Sequence, residues 1–156
     1  MIYAFPAHHS HVLKIDTNII THNKSRISLI PINRASYDSD DVTRYKWLGG
    51  SIGEDGNIYG MPSDASSILK INTSNDQVST FGKVSEEKNK WQGAVLSKET
   101  GYLYAIPSNA KHILCIDTRK ESDNDNICFA GNLTTKKDKW QGGFVGADGS
   151  IYCVPE

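Results

Sequence analysis

The chain has 156 residues, 38% of them hydrophobic, with 17 lysines and arginines balanced by 18 aspartates and glutamates. A single domain with a real core fits that length, and the evenly spread charge offers neither a basic stripe for nucleic acid nor an acidic tail. No apolar run is long enough to span a bilayer, and the N-terminus lacks the charged and apolar regions of an export signal, so the expectation is a protein with no membrane or nucleic-acid partner in the cytoplasm.

Ile2-Tyr3-Ala4-Phe5-Pro6 opens the chain as a strand closed by proline, and Val12-Leu13-Lys14-Ile15-Asp16 begins six residues beyond that proline. A polar turn leads to a weaker strand at Arg26 to Ile30, and a long charged linker, Asn33 to Lys46, leads to Trp47. From there the chain repeats itself. Trp47-Leu48-Gly49-Gly50 runs through Asp55-Gly56-Asn57 and Ile58-Tyr59 to Pro62, then to Ile68-Leu69-Lys70-Ile71-Asn72 and Gln77 to Phe81. The next copy runs from Trp91-Gln92-Gly93-Ala94 through Gly101-Tyr102-Leu103-Tyr104 to Pro107, then to Ile113-Leu114-Cys115-Ile116-Asp117 and Ile127 to Ala130. Trp140-Gln141-Gly142-Gly143, Asp148-Gly149-Ser150 and Ile151-Tyr152-Cys153-Val154-Pro155 form the last copy.

The prolines that close these strings, Pro6, Pro62, Pro107 and Pro155, are 56, 45 and 48 residues apart. A period of roughly 40–50 residues is that of propeller blades. Each copy reads as four short strands, and the tight Asp-Gly and Thr-Gly turns make successive strands antiparallel. The second strand is apolar on both faces, one small and aliphatic and the other carrying the tyrosine, so it is expected to be covered on both sides. The third alternates as a half-buried strand does, and the fourth reads as polar. Paired small residues in the first strand suit a crowded axis. The expected fold is an all-β propeller of four-stranded antiparallel blades, incomplete at about three and a fraction blades, as an open arc or a fragment. Its parts are a partial blade at 1–32, blades at 47–82 and 91–131, and a second partial blade at 140–156. A β-sandwich explains short strands but not a fixed string at fixed offsets.

Lys-Trp-x-Gly-Gly, Asp-Gly-x-Ile-Tyr-x-x-Pro and Ile-Leu-x-Ile-Asp together resemble the blade repeat of a kelch-like or NHL-like group of propellers, over essentially the whole chain apart from its linkers. A weaker likeness is to tachylectin-type propeller lectins. The resemblance implies a fold and brings no catalytic motif, cofactor or metal that maps onto a position here.

The candidate functional residues come from slots that recur. Lys46-Trp47, Lys90-Trp91 and Lys139-Trp140 offer aromatic platforms beside cations for sugars or anions; the competing expectation wedges each tryptophan between blades and leaves the lysine head in water. His8, Asp64 and Asn109 each lie two residues beyond a proline, in loops on one face, as ligand-binding side chains or as Asx-type turns. His8-His9-Ser10-His11 has no Cys, Asp or Glu beside it, so no metal site is read there. Cys115, Cys128 and Cys153 show no Cys-x-x-Cys spacing and read as free thiols, with Cys115 and Cys128 on neighbouring strands able to pair in an oxidising compartment.

These patterns lead to a non-enzymatic scaffold that binds a protein or glycan, with Arg34, Tyr37, Arg44 and Tyr45 of the long linker as contact residues. The alternative is a calcium-dependent hydrolase or lactonase whose Asp64, Asn109 and His8 converge on one ion. Apolar faces at both ends of the arc imply a longer chain or self-association into a ring of six or seven blades.

Overall fold

The computed structural model describes residues 1–18, 26–33, 44–120 and 126–156. Among these the regular elements are all strands: β1 (Ile2–Ala4), β2 (His11–Ile15), β3 (Ile27–Pro31), β4 (Trp47–Ile52), β5 (Ile58–Pro62), β6 (Ser67–Ile71), β7 (Val78–Lys83), β8 (Trp91–Leu96), β9 (Tyr102–Pro107), β10 (Ile113–Asp117), β11 (Ile127–Ala130), β12 (Trp140–Val145) and β13 (Ile151–Pro155). They form antiparallel sheets strictly in chain order, β1-β2-β3, β4-β5-β6-β7, β8-β9-β10-β11 and β12-β13. Strand β4 packs on β8, and β8 on β12. Each four-stranded sheet therefore has a neighbour on both faces, which is the radial stacking of a propeller and not the single shared core of a sandwich.

The hairpin between first and second strands explains the Asp-Gly-x-Ile-Tyr string. Asp55 Oδ1 accepts from the Asn57 amide at 3.1 Å, and its Oδ2 accepts from the Tyr59 hydroxyl at 2.8 Å. Asp148 repeats both bonds with Ser150 and Tyr152, each at 3.0 Å. One carboxylate thus closes the turn and fixes the tyrosine. The Ser150 amide, followed by the Tyr152 hydroxyl, holds the Asp148 carboxyl below its ordinary value.

Small residues stand where sheets approach most closely. A side chain at Gly49 would lie 2.9 Å from Gly93 Cα, and one at Gly93 would lie 3.3 Å from Gly142 Cα, so the innermost strands meet backbone to backbone. Both glycines also sit at a bulge, with φ of 72° and 85°, a conformation costly for residues with a Cβ. Farther out, the bulky face of one sheet fills the small face of the next. Phe5 occupies the space a side chain would need at Gly50 and Gly60, and Ile106 lies 3.4 Å from the position a Gly143 side chain would take.

Between the first two sheets, Tyr3, Phe5, Val12, Ile30 and Ile32 pack on Trp47, Ile58, Leu69, Ile71 and Val78. Between the next two, Tyr59, Met61, Ile68, Phe81 and Val84 pack on Trp91, Leu103, Ala105, Leu114 and Ile116. Burial of each such large side chain contributes about 1.5–3 kcal/mol relative to exposure.

The outer strands are covered further than the expectation of a half-buried third strand and a polar fourth. Leu69, Ile71, Leu114 and Ile116 fill the face that alternation assigns to the core, but Ile68, Cys115 and Asp117 on the opposite face are buried too, as are Val78, Thr80 and Phe81 of the fourth strand β7. The polar members of β6 and β10 are accommodated through their stems and partners. Lys70 lies over the rings of Tyr59 and Phe81, each at 5.8 Å, and buried Asp117 accepts from Arg119 at 3.1 Å.

A polar clamp joins the first two sheets. Tyr3 donates its hydroxyl to Asp76 Oδ1 at 2.7 Å, and Lys14 donates to Asp76 Oδ2. Lys14, then Tyr3, hold the Asp76 carboxyl below the ordinary value of 3.8. A depressed folded-state pKa adds stability that is complete above the unfolded value and is lost as pH falls through the folded one. In acid unfolding, Asp76→Asn, which tolerates the φ of 60° at this position, should therefore flatten the dependence of stability on pH below 3.8. Its cost at neutral pH should stay under about 1 kcal/mol, because the pair is partly exposed.

Candidate functional site

The recurring Lys-Trp pairs lie at the seams between sheets. The backbone amides of Lys46, Lys90 and Lys139 donate to the carbonyls of Ala7, Ser63 and Ser108, the residues just after each proline of the preceding sheet, at 2.9, 3.0 and 3.2 Å. The ammonium groups follow the backbone. Lys90 Nζ donates to the carbonyls of Ser63, Ala65 and Glu87 at 3.0, 3.1 and 2.7 Å. Lys139 Nζ donates to Ser108 and Lys136 at 2.7 and 3.0 Å, and Lys46 Nζ to His9 at 3.1 Å.

The lysine heads are thus not in water: Lys46, Lys90 and Lys139 are 3%, 0% and 7% exposed. The reason is that each post-proline loop turns several carbonyls into the seam, and an ammonium with three donors satisfies them together. Burial lowers the Lys139 pKa, with Asp138 opposing. These lysines stitch one sheet to the next.

The loop positions His8, Asp64 and Asn109 also serve the seams. Asp64 Oδ1 accepts from the Asn89 amide at 2.8 Å, and Asn109 Oδ1 from the Asp138 amide at 2.7 Å. Asn89 and Asp138 precede the lysines and adopt φ of 53° and 50°, as Tyr45 does at 59°. The side chains therefore cap a left-handed residue of the following sheet and do not form Asx turns within their own loops. His8 instead sets its ring edge against Tyr45, with centroids 4.8 Å apart. Each of the three residues is engaged at its own seam.

Trp47 and Trp91 are buried wedges whose indole N–H groups donate to the carbonyls of Ser67 and His112 at 2.8 and 2.9 Å; Trp140 is half-buried. Of the linker candidates, Arg44 and Tyr45 are exposed beside the first seam, while Arg34 and Tyr37 lie outside the described residues.

One seam departs from the repeat. At the second, Ser85, Glu87, Trp91, Ala110, Lys111, His112 and Phe129 line a half-open cavity of about 270 Å³, close to the lower end of the roughly 300–1,000 Å³ typical of small-ligand pockets. Phe129 stacks on Trp91 with centroids 6.2 Å apart and planes 29° apart, yet remains 50% exposed. His112 Nδ1 lies 2.6 Å from the Gly131 carbonyl. A carbonyl only accepts, so Nδ1 donates and the ring is turned with Nε2 on the far side. Glu87 is held through its own carbonyl by Lys90 and receives the Ser85 hydroxyl at 3.3 Å. The result is an aromatic wall with an acid, a base and an imidazole around it.

The sequence reading missed Phe129, Glu87, Lys111 and His112. The signal was in the repeat itself. Strand pairing aligns Ala4, Leu13 and Leu29 with Gly60, Leu69 and Thr80, and with Ala105, Leu114 and Phe129, so an aromatic ring stands where the other copies have leucine and threonine.

Two measurements test this description. Lys90→Met removes the ammonium that three carbonyls share, of which Ser63 alone keeps the Lys90 amide, and should cost about 2–4 kcal/mol in denaturant unfolding, whereas Lys88→Met, at an exposed position, should change stability by less than about 0.5 kcal/mol. Cys115 and Cys128 face each other across β10 and β11, and burial, then Cys128, push the Cys115 thiol up to about 12. Alkylation at pH 8 should label exposed Cys128 and spare Cys115 until the protein unfolds.

No protein-family model matches the chain, and no curated protein does. Solved structures do. Selenomethionine-substituted virginiamycin B lyase from Staphylococcus aureus superposes with a TM-score of 0.64 at 14% identity, covering 94% of this chain and 42% of that one. A catalytically inactive variant of the S. aureus lyase with quinupristin gives 0.65 at 14% identity, covering 95% and 43%. A streptogramin B lyase gives 0.67 at 14% identity, covering 98% and 44%. The chain spans less than half the length of these proteins. Similarity at that identity carries the fold alone, and with the sheet order and seams above it makes this chain a stretch of β-propeller.

Proposed function

We propose that the chain is a non-enzymatic binding scaffold that receives one apolar side chain of a protein partner in the cavity at its second seam. The observation that carries this reading is Phe129, a half-exposed ring stacked on Trp91 at a position where the other sheets have leucine or threonine. An aromatic anchor flanked by groups of both charge signs is the kind of surface that supplies hot spots at interfaces. Glu87, Lys111 and His112 fix the partner's orientation around that anchor, and the exposed Arg44 and Tyr45 extend the contact along the first seam; Arg34 and Tyr37 of the same linker are further contact residues in this proposal. The repeats are taken to be of the kelch-like or NHL-like kind that their sequence resembles. Asp64 and Asn109 spend their side-chain oxygens on the amides of Asn89 and Asp138, which leaves the calcium-dependent hydrolase without an observation in its favour.

A displayed random-peptide library and a glycan array, probed with the native chain and with Phe129→Asp, test the proposal. Peptides sharing one apolar residue should be enriched on the native chain and should bind Phe129→Asp at least tenfold more weakly, a change of about 1.4 kcal/mol, while the variant stays folded and loses only the roughly 0.5–1.5 kcal/mol of the Trp91 stack. Enrichment of glycans alone would replace the protein partner with a sugar, and binding indifferent to Phe129 would remove the cavity from the reading. Quinupristin should survive incubation with the chain intact.

A further inference from the structure

The two outermost sheet faces of the arc are apolar and chemically different. On the first sheet, strand pairing sets Ile2, Ile15 and Ile27, and Ala4, Leu13 and Leu29, in two rows on the face turned away from the second sheet. On the last sheet, Phe144 and Tyr152 are cross-strand partners on the face turned away from the third sheet, with Val154 beyond them. Ile2 and Leu29 are 53% and 55% exposed, and Phe144 and Tyr152 are 73% and 60% exposed. Isolated exposed apolar residues are ordinary, whereas rows of them on one sheet face mark a contact surface.

The interior of the chain shows what such faces fit. Twice, a face carrying a tyrosine and a second bulky residue lies on a face of aliphatic residues around a small one: Tyr3 and Phe5 over the sheet of Gly60, and Tyr59 and Met61 over the sheet of Ala105. Over the strands they contain, the exposed faces match the two halves of the same junction. Tyr152 and Val154 hold the places of Tyr59 and Met61, and Ala4 holds the place of Gly60 and Ala105. Two copies of a chain that aligns with 42–44% of the lyase chains also supply close to the length of one such protein.

The geometry points to a second copy of this chain as the occupant, bound head to tail, with Phe144, Tyr152 and Val154 of one copy lying on Ile2, Ala4, Leu13 and Ile15 of the other. The contact is heterologous, so two copies arranged around one axis form it twice and close on each other. Because it is apolar, it should persist in high salt.

Analytical ultracentrifugation of the chain and of two double variants tests this. The first variant, Ile2→Asp with Leu29→Asp, disables the receiving face, and the second, Phe144→Asp with Val154→Asp, disables the inserting face. All four positions are solvent-exposed in the single chain, so both variants should fold and unfold in one transition, at the midpoint that the native chain shows when diluted to monomer. The native chain should sediment as a dimer, and each variant alone as a monomer with a dissociation constant at least tenfold higher. An equimolar mixture of the two should recover a heterodimer, since one intact junction remains. A native chain that stays monomeric at all concentrations would overturn the proposal and leave further sheets of a longer polypeptide as the occupant. A variant that dimerises undiminished, or a mixture that fails to associate, would also overturn it.

Discussion

Everything in this chain hangs on the lysine that precedes each repeated tryptophan. A propeller has no continuous hydrogen-bond ladder from blade to blade, so adjacent sheets need some other directional bond to fix their spacing and angle. Here an amide and an ammonium of one residue reach back into the same post-proline loop. The apolar contacts between sheets supply most of the burial but are non-directional; the lysine sets where that burial occurs. An isolated buried ammonium would be prohibitively costly, and three carbonyl acceptors around Lys90 are what make its position tenable.

Because the same parts are used at every seam, a difference between seams carries information that conservation within one protein would hide. Trp47 and Trp91 are interchangeable in role, each with its indole bonded to a carbonyl at the start of the third strand, that of Ser67 in β6 and that of His112 just before β10. What distinguishes the second seam is the fourth strand, where Thr80 of one sheet corresponds to Phe129 of the next. The structural repeat makes the rigid frame, and the ring that departs from it lines a cavity.

Much of this was legible from the residues. The strand order, the hairpins and the mating of bulky and small faces followed from the spacing of Pro6, Pro62, Pro107 and Pro155 and from the alternation in strings such as Ile58-Tyr59-Gly60-Met61. Less legible were features that depend on where a backbone carbonyl points. Lys90 reads as a surface cation beside a tryptophan, and nothing in its neighbourhood announces the loop of the preceding sheet, more than twenty residues away in sequence. Asp64 has the composition of an Asx turn, but the amide it binds belongs to Asn89. The burial of the fourth strand β7 has a related cause: Val78 and Phe81 stand on opposite faces, and a neighbouring sheet covers each, Val78 at the first seam and Phe81 at the second, which the polar residues of the strand itself do not reveal.

The identity of the seams has an evolutionary consequence. A stretch running from one Lys-Trp to the next carries one inserting face, one receiving face, one lysine and one post-proline loop. Duplicating or deleting such a stretch leaves every junction in the product formed between the same kinds of surface as before, so a change of nearly fifty residues disturbs less than a shift of a single residue within a strand. In this architecture recombination in whole units is conservative, while drift at one slot such as that of Phe129 is the step that creates something new.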